Sequence, residues 1–215
     1  MESYWPVHDL RLHTAGLHTA GLELRPLTEA DLGPLADLLP EDVEQDPEAT
    51  TFAVDGRTQR GVVVHQGYWR AMGTWRVEQW RLNFAVLAGD ELVGTQELEG
   101  NDFPTLRTVD TASFLALAAR GRGVGQAMRR AVLALAFGPL RAEAAITAAW
   151  HDNHASLGVS RALGYQPNGT SLHRRDEGVD TFTHLRLSRE DWLARPGAPV
   201  QISGFEPCRP FFGLV

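Results

Sequence analysis

The chain has 215 residues, of which 43% are hydrophobic and 22% are charged, and these proportions are typical of a globular protein. Its length is sufficient for one α/β domain with a substantial core. The net charge of -7 argues against a nucleic-acid partner, because phosphate binding requires a basic surface. All 20 basic residues are arginine. A chain without lysine cannot form the Schiff base on which pyridoxal-phosphate enzymes and lysine aldolases depend.

The sequence shows no targeting or membrane signal. No run of about 18 apolar residues occurs, so no membrane-spanning helix is expected. The first residues, Met1 to Pro6, lack the basic start and the apolar stretch of a secretory signal. Cys208 is the only cysteine, so an internal disulfide is excluded. Together these features predict a soluble, cytoplasmic protein.

Residues 1–21 are predicted to be an irregular N-terminal extension. They contain a tandem repeat, in which Leu-His-Thr-Ala-Gly at 12–16 is followed directly by a second copy. Two copies are too few for a repeat fold and indicate a loop insertion. His8, His13 and His18 lie five residues apart. Because that spacing suits neither one face of a helix nor one face of a strand, it does not favour a metal site.

The next segment is predicted to contain one strand and two helices. Residues 22–26 alternate in polarity and predict a strand. Thr28 as the N-cap residue, with Asp31 in the capping-box position, predicts a helix that ends before an acidic loop at 41–48. Apolar residues near helical spacing predict a second helix over residues 57–75, although two internal glycines weaken this pattern.

The second half of the chain is predicted to alternate between strands and helices. The predicted strands cover residues 82–87, 92–98, 108–118, 144–149 and 179–187. The predicted helices cover residues 124–137 and 153–163, with a short capped turn of helix at 188–192. Residues 196–215 form a tail rich in proline and glycine. This order of elements predicts a mixed α/β domain built around one sheet.

The stretch from Arg120 to Ala127, Arg-Gly-Arg-Gly-Val-Gly-Gln-Ala, lies between a predicted strand and a predicted helix. Its glycines let the backbone turn sharply, so that main-chain N–H groups of the loop and of the first helical turn point to one place. A helix N-terminus favours an anion, and Arg120 and Arg122 add positive charge, so this place is predicted to bind phosphate. The spacing fits no dinucleotide fingerprint, because Met128 occupies the third glycine position, and no Walker A motif, which needs lysine.

Arg120-x-x-Gly123-x-Gly125 resembles the Gln/Arg-x-x-Gly-x-Gly/Ala motif of the GNAT superfamily, in which this loop cradles the pyrophosphate of coenzyme A. A second block, Asn153-His154-Ala155-Ser156 followed by Leu163-Gly164-Tyr165, resembles the block that follows in the RimJ/RimL branch. That branch includes ribosomal-protein N-terminal acetyltransferases. The resemblance covers about residues 22–195, between the extension and the tail. It implies a single GNAT-type α/β domain, whose central, mostly antiparallel sheet contains a splayed parallel pair and is flanked by helices.

The two ends of the chain are similar to a narrower subgroup of this superfamily. Residues 4–11 and 204–213 resemble the flanks of proteins of which one is described as a succinyltransferase that uses succinyl-CoA. The implied acyl donor is therefore acetyl-CoA or succinyl-CoA. The implied acceptor is a small-molecule amine or a protein N-terminus. Phe211 and Phe212 in the tail are predicted to pack either on a partner subunit of a homodimer or on the chain's own edge strand.

The resemblance also implies where the donor binds. The strand before the glycine loop holds the thioester through its backbone, and the loop holds the pyrophosphate. The implied cofactor-binding residues of the strand and loop are Leu115, Leu117, Arg120, Gly121, Arg122, Gly123, Val124, Gly125 and Gln126. Asn153 is implied to bond the pantetheine arm, and a role as a helix N-cap is compatible with it. No metal site is predicted, because the histidines, the cysteine and the carboxylates show no recognisable ligand spacing.

Two residues are assigned to the chemistry. Attack on a thioester needs a neutral amine, and a carboxylate can take its proton, often through water. Asp110 falls where the RimJ/RimL pattern places a glutamate and is the candidate base, with substrate binding or a strand-edge ion pair as alternatives. Ser156 matches the family serine that protonates the departing thiolate, with a bond back to its own helix as the alternative. A hydrolase triad is set aside, since the sequence lacks a Gly-x-Ser-x-Gly elbow.

Acceptor selection in the family lies in segments that correspond to about residues 40–80 and 168–180. The first segment contains the acidic loop and Trp69, Trp75 and Trp80, for which burial in the core is favoured over a substrate wall. These features indicate a partly apolar, cationic amine. Two other functions stay open at this stage. One is an aminoacyl-tRNA-dependent transferase on the same fold, against which the acidic balance argues, and the other is a non-catalytic acyl-CoA-binding regulator.

Overall fold

The computed structural model describes residues 4–16, 21–40, 51–175, 178–195 and 197–214. Within these residues nine strands form one sheet, in the order β7-β8-β6-β5-β4-β3-β2-β1-β9. The strands are β1 (Arg11–Thr14), β2 (Leu22–Pro26), β3 (Gln79–Ala88), β4 (Glu91–Asn101), β5 (Thr108–Leu115), β6 (Ala144–Trp150), β7 (Gln166–Arg175), β8 (Gly178–Ser188) and β9 (Val200–Ser203). Neighbouring strands pair antiparallel except β5 and β6, which pair parallel. The expected mixed fold, with one parallel pair in a mostly antiparallel sheet, is confirmed.

Helices flank this sheet. They are α1 (Glu29–Leu38), α2 (Gly56–Gly73), α3 (Phe103–Leu106), α4 (Val124–Phe137), α5 (His154–Ala162) and α6 (Arg189–Leu193). The bounds of α4 agree with the prediction, because Met128, Val132 and Leu135 form a buried stripe at helical spacing. Gly138 follows the last residue of this helix.

The predicted capping box at the start of α1 is confirmed. The N–H and the hydroxyl of Thr28 each donate to Asp31 Oδ2 over 2.8 Å. Arg25 of β2 forms a bidentate ion pair with the same carboxylate, with both N–O distances at 2.7 Å. These bonds fix the start of the helix against β2.

The two faces of the sheet are covered by different helices, because successive residues of a strand point to opposite sides. α4 covers the face that carries Thr111 and Ser113, and its Arg129 donates a hydrogen bond to Ser113. α1 and α2 cover the other face, where their apolar residues pack with Ala85 and Phe114. We call these two sides the α4 face and the α1 face.

The two ends of the chain supply the outer strands on one side of the sheet. β1 pairs with β2 and with β9, so the irregular structure expected for residues 1–21 is wrong at Arg11–Thr14. His13 lies within β1. His18 and most of the second repeat copy lie outside the described residues. β9 lies within the segment 196–215, where no strand was predicted.

An aromatic cluster joins the end of the chain to its centre. Trp75 Nε1 donates to the carbonyl of Phe211 over 3.0 Å. Phe212 is fully buried and packs edge-on against Trp80, with 4.8 Å between the ring centroids. The two phenylalanines of the tail therefore pack on their own chain. The predicted burial is confirmed for Trp80 and is wrong for Trp69, which is 53% exposed.

Three features differ from the sequence predictions or lie beyond them. The strand β7 was not predicted, because its residues are exposed or half-buried on both faces and the apolar alternation of a strand is absent. The strand predicted for 108–118 ends at Leu115, and a turn of 3-10 helix covers Leu117–Ala119. The acidic loop predicted at 41–48 lies outside the described residues.

Candidate active site

The candidate site begins where the parallel strands β5 and β6 separate. Their pairing is confined to Thr108–Asp110 and Ala144–Ile146. Beyond it, side-chain hydroxyls replace the ladder. Thr147 Oγ1 donates to the carbonyl of Thr111 over 2.9 Å, and Thr111 Oγ1 donates to the carbonyl of Ile146 over 3.3 Å. These two bonds close the narrow end of a V-shaped gap between the strands.

Main-chain groups of β5 point into this gap. The N–H of Ala116 donates to the carbonyl of Val93 on β4 over 2.9 Å. Because main-chain groups alternate in direction along a strand, those of Ser113 and Leu115 face away from β4 and toward β6. The carbonyl of Leu115 accepts a bond from Arg120 Nε over 3.2 Å. The N–H groups of Ser113 and Leu115 are therefore available to an extended ligand that lies in the gap.

The gap opens into a cleft of about 1110 Å³ that continues to the glycine loop and to α5. Most of the residues predicted to bind the donor or to act in catalysis line it. They are Leu115, Arg120, Gly121, Gly123, Gly125, Gln126, Asn153 and Ser156. Four predicted residues do not line it, namely Asp110, Leu117, Arg122 and Val124. The arrangement thus brings the loop and the start of α5, which are about 30 residues apart in sequence, to one cavity.

The glycine loop owes its shape to backbone conformation. Gly121 and Gly123 have φ angles of 71° and 79°, in the left-handed region that glycine adopts without strain. A Cβ atom at Gly125 would lie 3.4 Å from Val159 and 3.7 Å from Leu115, so this glycine lets α4 approach α5 and β5 closely. The loop leads directly into the N-terminus of α4, where unpaired N–H groups favour an anion.

The predicted loop and strand residues outside the cleft lie there for different reasons. Leu117 is exposed, and Arg122 is exposed at the surface of the loop. Val124 buries its side chain in the core, so only its main-chain N–H lies at the N-terminus of α4. A purely sequence-based assignment cannot separate these orientations, because they depend on the turn that the chain makes.

The start of α5 explains the Asn153–Ser156 spacing. Asn153 Oδ1 accepts a hydrogen bond from the N–H of Ser156 over 3.0 Å, so Asn153 is the N-cap of this helix. The same bond holds Ser156 in the first turn, and both residues line the cleft. The N-cap interpretation is therefore correct, and it is compatible with a contact to a ligand.

Strands β4 and β5 place three carboxylates on the α1 face. Their pairing sets Glu99 beside Asp110, and Glu97 lies diagonally from Asp110 on the same face. Arg81 on β3 joins them, with Nη2 2.8 Å from Glu99 and Nε 3.5 Å from Glu97. Asp110 is the last residue of β5 that pairs with β6, next to the narrow end of the cleft.

Two of these carboxyls are shifted toward the protonated form. Burial raises the pKa of Glu97 to about 7, opposed by Arg81 and assisted by Glu99 and Asp110. Burial also raises the pKa of Asp110, while the N–H of Thr111, 2.6 Å from Oδ1, lowers it. A carboxyl with a pKa near neutrality is suited to accept a proton. Glu97 was not predicted as a site residue, because only the register of β4 against β5 brings it near Asp110.

The wide end of the cleft has an aromatic wall that was likewise not predicted from the sequence. Trp150 and Phe182 line it and pack edge-on, with 4.3 Å between their ring centroids. The guanidinium of Arg175 lies over the Trp150 ring at 4.9 Å. The wall is formed when β8 pairs with β6 and sets Phe182 beside Trp150.

Histidines gather near this wall without forming a metal site. Ser171 Oγ lies 2.8 Å from His173 Nε2 and 2.6 Å from His184 Nε2. His151 Nδ1 lies 2.9 Å from an oxygen of Asp180. Across the described residues, no group of three or more His, Cys, Asp or Glu side chains is placed to hold a metal ion. In the same residues no helix is both long and apolar enough to span a membrane.

The family model for the acetyltransferase (GNAT) domain matches residues 21–166, which include the glycine loop, β5, β6 and α5. The chain belongs to the GNAT acetyltransferase family. Membership agrees with the resemblance seen in the sequence and makes the protein a CoA-dependent acyltransferase. The matched segment ends at the start of β7, so it includes Trp150 of the aromatic wall but not Phe182 on β8.

Solved structures share the fold of this GNAT domain. RimJ of Mycobacterium smegmatis in complex with CoA-disulfide is 16% identical, with a TM-score of 0.71 over 90% of this chain and 92% of that chain. A chimera of the spermidine N-acetyltransferase SpeG from Vibrio cholerae is 14% identical, with a TM-score of 0.62 over 81% of this chain and 99% of that chain. At these identities the likeness shows the fold.

Proposed function

We propose that the protein transfers an acyl group, acetyl or succinyl, from a CoA thioester to a primary amine on a small molecule or at a protein N-terminus. The observation that carries this proposal is the single cleft that runs from the glycine loop to the narrow end between β5 and β6. One end presents N–H groups to phosphate. The other end presents the N–H groups of Ser113 and Leu115 to the arm and the thioester.

The donor is proposed to lie along this cleft. Gly121, Gly123 and Gly125, with Arg120, Arg122, Gln126 and the N–H of Val124, would hold the pyrophosphate. Leu115 and Leu117 would contribute through the backbone of the strand and turn, and Asn153 would lie beside the pantetheine arm. The contact between the RimJ structure and CoA-disulfide is consistent with this use of the fold.

The proposed transfer is a direct attack. The amine nitrogen forms a bond to the thioester carbonyl carbon, and the carbon–sulfur bond breaks. The amine proton passes to the carboxylate pair Asp110 and Glu97, directly or through water, since both have raised pKa values on the α1 face. The departing thiolate takes a proton from Ser156, whose position in the cleft supports this role.

The acceptor is proposed to approach from the α1 face. There the carboxylates of Glu97, Glu99 and Asp110 favour a cationic amine. Trp150 and Phe182 provide an apolar wall next to the same opening. SpeG is named for its action on spermidine, and a polyamine or a protein N-terminus fits this combination of charge and aromatic surface. The cytoplasmic location and the homodimer stay predictions.

Two measurements on the purified protein test the proposal. We expect CoA and acetyl-CoA to bind with micromolar Kd in a calorimetric titration. We then expect the protein to release free CoA thiol from acetyl-CoA or succinyl-CoA when an amine is added, with spermidine and a peptide with a free N-terminus as the acceptors. The same peptide with an acetylated N-terminus is the matched control and should release none. Absence of CoA binding would overturn the proposal and favour the tRNA-dependent alternative, whereas binding without transfer to any amine would favour a regulator.

A further inference from the structure

A buried arginine lies at the inner end of the cleft. Arg129 is in the second turn of α4, is only 3% exposed, and lines the cavity beside Ser113 and Thr147. Its guanidinium therefore faces the narrow end, where the acyl end of a donor would lie if the pyrophosphate occupies the glycine loop. This inference rests on the proposed function.

The hydrogen-bond partners of Arg129 are neutral. Nε lies 3.4 Å from Gln96 Oε1, Nη1 lies 3.4 Å from Thr147 Oγ1, and Nη2 lies 3.2 Å from Ser113 Oγ. These distances are at the long end for an N–H donor. The phenolic oxygen of Tyr165 is a further neutral acceptor.

A charged partner for this arginine is distant. Among the described residues, no carboxylate oxygen lies within 4.0 Å of a guanidinium nitrogen of Arg129. Asp110 acts on it only electrostatically from the other side of the sheet. Because a guanidinium stays charged at every accessible pH, its burial among neutral groups is unfavourable unless an anion joins it.

We propose that Arg129 binds a carboxylate at the end of the donor's acyl group, so that the preferred donor is a CoA monothioester of a dicarboxylic acid. The planar guanidinium can hold a carboxylate through two parallel bonds. The hydroxyl of Ser113 accepts a bond from Arg129 and keeps its own proton, so it can donate to the same carboxylate, whereas the hydroxyl of Thr147 already donates to Thr111. An acetyl group ends in a methyl group, which carries no charge and accepts no hydrogen bond from the guanidinium.

The two sides of the sheet then carry opposite charges for opposite partners. The α1 face presents Glu97, Glu99 and Asp110 to a cationic amine. The α4 face presents Arg129 to an anionic acyl group. Each charge repels the wrong substrate as well as attracting the right one, because a buried like charge weakens binding strongly.

The test compares two donors of equal chain length in a binding titration of the full-length protein. Succinyl-CoA ends in a carboxylate, and butyryl-CoA ends in a methyl group. We expect succinyl-CoA to bind at least tenfold more tightly than butyryl-CoA. In Arg129→Met this ratio should fall to about one while CoA itself binds as in the wild type. Arg129→Lys keeps the positive charge but cannot form two parallel hydrogen bonds, so it should retain part of the preference.

A matched control is Arg130→Met. The guanidinium of Arg130 lies over the Trp192 ring at 4.8 Å, and its Nε donates to the carbonyl of Ala198, away from the cleft. Its loss should leave the donor ratio unchanged.

The outcomes separate this inference from the proposed function. A wild-type ratio near one, with intact CoA binding, overturns the role of Arg129 and leaves acyl transfer standing. Retention of the full preference in Arg129→Met has the same consequence. If Arg129→Met does not fold, the wild-type ratio and Arg129→Lys still decide the question. Absence of CoA binding in the wild type removes the proposed function itself.

Discussion

Thr147 donates its hydroxyl proton to the main-chain carbonyl of Thr111 over 2.9 Å, at the point where β5 and β6 separate. Both side chains are buried. A parallel ladder would satisfy these main-chain groups if the strands continued side by side. Here the threonine hydroxyls donate to the main-chain carbonyls instead, so the strands can separate beyond this point and leave room for a ligand.

Replacing Thr147 by valine keeps the shape and removes this donor. We expect Thr147→Val to lower the free energy of unfolding by about 1–3 kcal/mol, because the buried carbonyl of Thr111 loses its partner. Urea denaturation measures the change. The control is Thr108→Val, whose hydroxyl donates to Leu106 at an exposed position and should matter little. Equal losses in the two variants would contradict a special role for the bond at the narrow end.

Gly123→Val is expected to lower CoA affinity at least tenfold while the protein stays folded. Gly123 has a φ angle of 79°, and a β-branched residue in that conformation is strained by about 1–3 kcal/mol. No atom lies within 4 Å of a Cβ at this position, so the effect comes from the changed backbone. Calorimetric titration with CoA measures it, and circular dichroism checks the fold. Gly158→Ala in α5, which also lines the cleft with open space at its Cβ, is the control. Unchanged affinity in Gly123→Val would place the phosphate site elsewhere.

Ser156→Ala is expected to reduce kcat without a comparable change in CoA affinity. The serine N–H that joins Asn153 is retained in alanine, so the helix start should be preserved. Only the hydroxyl that is proposed to protonate the thiolate is lost. Steady-state kinetics with a CoA titration in parallel measures the two effects. Equal losses of turnover and CoA affinity would assign the hydroxyl to binding instead.

The carboxylate pair makes a prediction about the pH dependence of transfer. Because the pKa of Glu97 is about 7, kcat/KM should rise with pH through that region. Glu97→Gln should remove this step. Asp110→Asn should move the step to lower pH, because it removes a negative neighbour that helps to raise the pKa of Glu97. If Asp110→Asn abolishes the rise and Glu97→Gln leaves it intact, Asp110 alone is the base.

The raised pKa of Glu97 also predicts how the stability of the protein depends on pH. Its pKa is raised from 4.5 to about 7 in the folded protein, so the folded state binds more protons than the unfolded state between these values. Stability should therefore fall as pH rises through that window. Glu97→Gln removes the cost of ionising this buried carboxyl. The free energy of unfolding of the variant minus that of the wild type should therefore be larger at pH 8 than at pH 4, by on the order of 2 kcal/mol. Urea denaturation at the two pH values checks the sign. A stability difference that does not change with pH would show that Glu97 titrates normally.

Most of the local elements and the glycine loop could be predicted from the sequence alone. The helix α4 was predicted with its observed bounds, because its apolar period and the flanking glycines are local signals. The capping box at Thr28 and Asp31 is likewise local, since both partners lie within one turn. The glycine loop and the Asn153–Ser156 block were recognisable because their spacing along the chain is the feature that positions them.

Which side chains come together depends on the packing of the strands and helices. Glu97 reaches Asp110 through the register of β4 against β5, and Phe182 reaches Trp150 through the pairing of β8 with β6. Nothing in the sequence distinguishes Arg129 from an exposed arginine. It is buried because α4 turns that position toward the cleft. Such contacts depend on strand pairing and helix rotation, which bring together residues far apart in the chain and which no local pattern encodes.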